Sequence, residues 1–197
     1  ARSYHQNSHW GYIVTGEFHR GDHRGGGSYV NSIQRDRVRA IQLMTRALDL
    51  SLNEPAKNEV AGLYLEFAGI ISQYSGYNQA WRLQYLTDLN GLPDYETGHG
   101  YEYGQIQGAP VDREGLPVFH MVPESFESAI SDGQRWRWLL AKASQLNLNL
   151  ESQVRYTFAV FLHSQFGVQT LSSYRHYLAR GLSKSDSDSG SETLSPY

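Results

Sequence analysis

Apolar positions set the first outline of this chain. From Asn31, in NSIQRDRVRAIQLMTRALDLSLN, the residues Ile33, Val38, Ile41, Met44, Ala47 and Leu48 recur at spacings of three to five. That is one stripe of an amphipathic helix. Asn31 or Ser32 can cap its start, and Arg35, Asp36, Arg37 and Arg39 fall mostly off the stripe, so they are expected to face water. The break SLNEP follows, with Asn53 as a plausible N-cap and Pro55 suited to a first turn. Val60, Leu63, Tyr64, Phe67, Ile70, Ile71 and Tyr74 then trace a second apolar face, which predicts a helix to about Gln73. So short a break makes the two an antiparallel αα-hairpin.

The pattern returns near the other end. Ser131 or Asp132 can cap a helix carrying Trp136, Leu139, Leu140, Ala143 and Leu146. After a break at 147–149, Val154, Phe158, Phe161, Leu162 and Phe166 mark a further helix that Gly167 stops. SYRHYLARG suggests a short helix beyond it, and SKSDSDSGSETLSPY reads as a polar linker leading into more polypeptide. Two hairpins suggest stacked units, as in an α-solenoid. The expected fold is therefore all-α: an extension over 1–30, hairpins over 31–74 and 125–180, an irregular insertion over 75–124, and a tail over 181–197. Within the insertion, Ala80–Leu89 can form a short helix, and REG in VDREGLPVF can turn a small β-hairpin.

Composition narrows the function classes. The 197 residues carry a net charge of −3, which provides no electrostatic footprint for nucleic acid. The absence of cysteine removes disulfides, thiolate metal sites and a thiol nucleophile together. No apolar run approaches the roughly 20 residues of a membrane span, and the polar start ARSYHQNSHW shows no signal peptide. With 14 tyrosines the core is expected to be large-ringed and wet at its edges.

Chemistry concentrates in EFHRGDHRGGG, Glu17 to Gly27. Arg20, His23 and Arg24 could meet an anion there, with Gly25–Gly27 turning backbone amides inward as a nest. The spacing matches neither a phosphate loop nor a dinucleotide fingerprint. His5/His9 and His19/His23 stand at i,i+4, a metal-binding spacing on a helix, but neither stretch reads as one. No metal and no cofactor is expected. Arg20-Gly21-Asp22 matches an adhesion tripeptide by coincidence. The acids Glu17, Asp22, Asp94, Glu96, Glu102, Asp112 and Glu114 are expected in solvated loops, and Ser164 beside His163 lacks a nucleophile elbow. A hydrolase would require a nucleophile touching His99, His120 or His163. Tyr95, Tyr101 and Tyr103, around GHGYEYG, supply a possible contact surface, since tyrosine offers area at low entropy cost. Of Trp136 and Trp138, one should face the core and the other stack on a neighbouring element.

HWGYIVTGEFHRGDHRGGGSYVNSIQRDRVRAIQLMTRAL, SDGQRWRWLL and FLHSQFGVQT together resemble the helical N-terminal region of large bacterial alpha-2-macroglobulin-like proteins. In that family, segments of tetratricopeptide character precede the macroglobulin and terpenoid-cyclase-like domains. The resemblance runs in order from about His9 to Thr170. It implies an accessory module beside a protease trap, in the cell envelope or secreted. The family's thioester, built from CxEQ, has no counterpart here, so no functional residue carries over.

The expectation is thus a noncatalytic helical-repeat interaction module, docking a protein or peptide or another part of its own polypeptide. The competing reading is a small-anion or metal site on His19, Arg20, His23 and Arg24. Against that site stands the reading of EFHRGDHRGGG as an architectural turn that clamps the N-terminus onto the first hairpin, which is the expectation here.

Overall fold

The computed structural model describes residues 1–72, 85–98 and 121–166, the side chains of 5 and 162–166 excepted. Five helices are present among them: α1 Arg2–Gln6, α2 Ile33–Ser51, α3 Lys57–Ser72, α4 Asp132–Leu146 and α5 Glu151–Phe166. A single 3-10 turn, Leu148–Leu150, joins α4 to α5. Ser131 is the N-cap of α4, its hydroxyl accepting from the Gln134 amide at 3.2 Å. The start of α2 is held differently. Asn31 Oδ1 accepts the Ile33 amide at 3.2 Å, while the Ser32 hydroxyl turns to Asp36 at 2.6 Å. Pro55 sits two residues before α3 and gives its carbonyl to the Lys57 amide.

The all-α expectation is corrected by a four-stranded antiparallel sheet, so the architecture is mixed α and β rather than a helical solenoid. Its strands are β1 Trp10–Val14, β2 Glu17–Arg20, β3 Ser28–Asn31 and β4 Glu96–Thr97, in the order β2-β1-β3-β4. The segment expected to be an extension with a clamping turn is therefore mostly strand. Thr15 (φ 48°) and Gly16 (φ 87°) are both left-handed, as a two-residue type I′ hairpin turn requires. Its twist matches that of the flanking strands, and that fixes the pairing of Val14 with Glu17. Glu17 and Glu96, expected in loops, are strand residues. Residues 85–89, expected to close a short helix, are not helical. The expected hairpin turn at 113–115, the short helix at 173–181 and the tail lie outside the described residues.

Strand alternation gives the sheet two faces. Gly11, Ile13, Phe18, Arg20 and Val30 share one, and Trp10, Tyr12, Val14, His19, Tyr29 and Asn31 share the other. Gly11 has no side chain for a reason. A Cβ there would stand 2.1 Å from the His19 carbonyl oxygen and 2.9 Å from the Phe18 ring, which lies across β1. Gly11→Ala is expected to destabilise by about 1–3 kcal/mol through overpacking. A urea midpoint matching that of the unsubstituted protein would show that β1 and β2 do not pair this closely.

One core joins the helices. Ile41, Met44 and Leu48 of α2 meet Val60, Phe67 and Ile71 of α3 and Trp136, Leu139 and Ala143 of α4, with Phe126 between. Each fully buried large side chain contributes about 1.5–3 kcal/mol. Trp136 faces α5, its ring 5.9 Å from Phe158 and 4.7 Å from Phe161, whereas Trp138 lies 5.7 Å from Tyr64 on α3. The expectation that Asp36 and Arg37 face water is also corrected, since they are 4% and 7% exposed. Both are paired with groups distant in the chain, and that pairing offsets the cost of taking a charge out of water.

Candidate functional site

Two polar clusters hold the fold. In the first, the Asp36 carboxylate accepts from Arg20 Nη1 and Nη2, at 2.7 and 3.0 Å. His9 Nδ1 lies 2.9 Å from Asp36 Oδ2. Arg20 also donates to the Ser8 carbonyl. Burial alone would push the Asp36 carboxyl up. The hydrogen bonds from His9, Arg20 and Ser32, with the charge of Arg20, outweigh it and hold the group at about 2. Ser32 bonds to the carboxylate and to the His9 carbonyl rather than to the imidazole, so there is no serine–histidine relay here.

In the second cluster, Asp132, 1% exposed, accepts from Arg37 at 2.8 Å and from Arg135 at 3.2 Å. Thr87 closes the group through its amide at 3.1 Å and through its hydroxyl. Arg37 donates onward to the Ile71 carbonyl at the end of α3, 3.1 Å away. Burial lowers the pKa of Arg135, and the nearby Asp132 partly restores it. Three separate parts of the chain, α2, the segment at Thr87 and α4, meet at this carboxylate, and Arg37 ties it to α3.

A second group of candidate side chains lies on the sheet face opposite Arg20 and Val30. Cross-strand pairing sets Tyr12 opposite His19 on β2 and Tyr29 on β3. A continuous row of rings results. Trp10 lies 6.1 Å from Tyr29, Tyr29 5.4 Å from Tyr12, Tyr12 6.5 Å from His23, and His23 4.8 Å from His19. Such centroid distances fall within or near the range of favourable ring pairs. Trp10 is 36% exposed and the other four rings are half-buried. At the Trp10 end a cavity of about 280 Å³ opens between α1 and the sheet, lined by Gln6, Asn7, Ser8 and His9 among others.

The residues singled out by sequence are thus divided between the faces. His19 and His23 belong to the ring row. Arg20, one position from His19, points the opposite way and is committed to Asp36. Tyr95 lies on that opposite side, its ring 4.4 Å from Phe18 and under the Arg35 guanidinium at 4.9 Å. Arg24 is exposed in the loop between β2 and β3. Tyr101 and Tyr103 lie outside the described residues, as do His99, His120 and the His163 side chain. Trp10, Tyr12 and Tyr29 were missed in the sequence. The available signal was the aromatic and β-branched run Tyr12-Ile13-Val14 before Thr15-Gly16.

Among the described residues no group of three or more His, Asp or Glu side chains is placed to hold a metal ion. No helix among them is long and apolar enough to cross a membrane. No protein-family model, curated protein or solved structure matches the chain.

Proposed function

We propose that this chain is a noncatalytic docking module that engages a protein or peptide segment, of a partner or of its own polypeptide, through the aromatic face of its sheet. The resemblance in sequence to alpha-2-macroglobulin-like proteins supports placing it beside a protease trap, in an envelope or secreted setting. The observation that carries the docking role is the row Trp10–Tyr29–Tyr12–His23–His19. Aromatic rings at the centre of interfaces supply much of the binding energy because they bury large area at small entropic cost. Arg20 and Asp36 support this face from behind by fixing β2 to α2.

The test is a titration of the chain with the segments that the resemblance places after it. Trp10→Ala with Tyr12→Ala is expected to weaken binding about tenfold or more, with Tm lowered by no more than a few degrees. Unchanged affinity would remove the sheet face from the interface.

A second reading keeps one specific support, the His19 and His23 rings lying together at 4.8 Å with Arg24 nearby in the chain. It makes this corner a small-anion or metal site. A Tm that rises and saturates with zinc or phosphate, and no longer does so in His23→Ala, would favour it over docking.

A further inference from the structure

Among the described residues three arginines are nearly equally buried, and two of them pair with a carboxylate there. Arg37, Arg135 and Arg137 are 7%, 8% and 8% exposed. Arg37 and Arg135 share the carboxylate of Asp132. Among the described residues Arg137 pairs with no carboxylate, and its one hydrogen bond there runs from Nη1 to the Gly133 carbonyl at 3.0 Å. Its guanidinium is walled by three rings, Trp136 at 5.6 Å, Phe158 at 5.4 Å and Phe161 at 5.6 Å. In the same seam the Trp136 indole N–H is buried without an acceptor. Rings stabilise a cation through their faces, but they accept none of the remaining guanidinium N–H donors as an oxygen would. The guanidinium and the indole N–H thus border the same rings, and no carboxylate among the described residues pairs with the charge.

The surroundings define what could supply one. Val154 and Phe158 on α5 are only half-buried. An arriving anion would meet apolar side chains around a single cation. Burial alone depresses the pKa of Arg137 to about 10, so at neutral pH the group remains charged. A small hydrated ion would lose its water there with little in return, whereas a carboxylate carried among apolar side chains covers the rings and meets the charge together.

We propose that the seam between α4 and α5 docks an acidic residue of a polypeptide partner, a glutamate or aspartate flanked by apolar side chains, whose carboxylate pairs with Arg137. This site is separate from the aromatic sheet face and does not depend on that reading. Trp10→Ala with Tyr12→Ala leaves it intact, so the two can fail independently.

Calorimetry on the whole chain tests it, with a panel of capped pentapeptides. Each carries a central glutamate flanked by Leu, Phe or Val, and each is compared with its glutamine counterpart. At least one glutamate peptide is expected to bind tenfold or more tightly than its counterpart. That difference should vanish in Arg137→Met and shrink in Arg137→Lys. Arg137→Met is expected to fold, because an apolar chain of similar length replaces an unpaired buried charge. Equal affinities across every glutamate and glutamine pair, or a preference that persists in Arg137→Met, would overturn the proposal. So would sodium acetate reproducing the binding at the same concentration, which would make this a small-anion site.

Discussion

Asp132→Ala is expected to lower the unfolding free energy by about 3–5 kcal/mol, because it leaves buried charge behind rather than merely deleting a contact. The carboxylate is 1% exposed and holds Arg37 of α2, Arg135 of its own helix and Thr87. Removing it strands two guanidinium groups that are each less than a tenth exposed. Each already carries a buried Nε without a partner, so the site has no spare acceptor to redistribute. Chemical denaturation monitored by circular dichroism measures the loss. A cost below about 1 kcal/mol would mean that water reaches both arginines, contrary to their burial. A compensated variant sharpens the comparison. Arg37→Met and Arg135→Met together with Asp132→Leu removes all three charges, and it should recover much of what Asp132→Ala loses.

The second large effect is set by pH. The Asp36 carboxyl is held at about 2 in the folded protein, against about 3.9 in an unfolded chain. A depressed folded pKa stabilises above the unfolded value and loses that contribution as pH falls through the folded value. The stabilisation, about 2–3 kcal/mol, should therefore be complete above about pH 4 and disappear progressively toward pH 2. Asp36→Asn should be less stable at neutral pH and should flatten the stability profile over that interval. The charge-assisted pairing of β2 with α2 is weakened with it, because Arg20 then has only neutral acceptors. A profile between pH 4 and 2 that is identical with and without the carboxylate would show that Arg20 and His9 do not engage it in solution.

The buried arginines explain why amphipathic stripes understated the helices. Arg37 lies off the apolar stripe of α2, yet its side chain reaches Asp132, 95 positions along the chain. Nothing local in QRDRVRA distinguishes it from Arg39, which stays exposed. Burial of a charge depends on who the partner is, and partners are assigned by packing. QRWRWLL shows the reverse. Its alternation already implied that Trp136 and Trp138 face different ways, because residues two apart on a helix do not share a face. The structure sends one ring to α5 and the other to α3.

Local sequence determined the four long helices but not the five-residue α1, for a physical reason. A stripe repeating over four or five turns is a long signal, and α2, α3, α4 and α5 each carry one that survives a polar interruption. The sheet had no such redundancy. Its strands are two to five residues long, with Gly11 inside β1 and a glycine-rich loop before β3. A local reader sees turn residues there and writes a loop. Only pairing across the fold, Tyr12 with Tyr29 and Asn31 with Glu96, turns those segments into a sheet. The same pairing decided the candidate surface. It placed His19 among the rings and aimed Arg20 at Asp36, because neighbours in a strand point to opposite faces and hydrogen bonds between strands choose which face is outside.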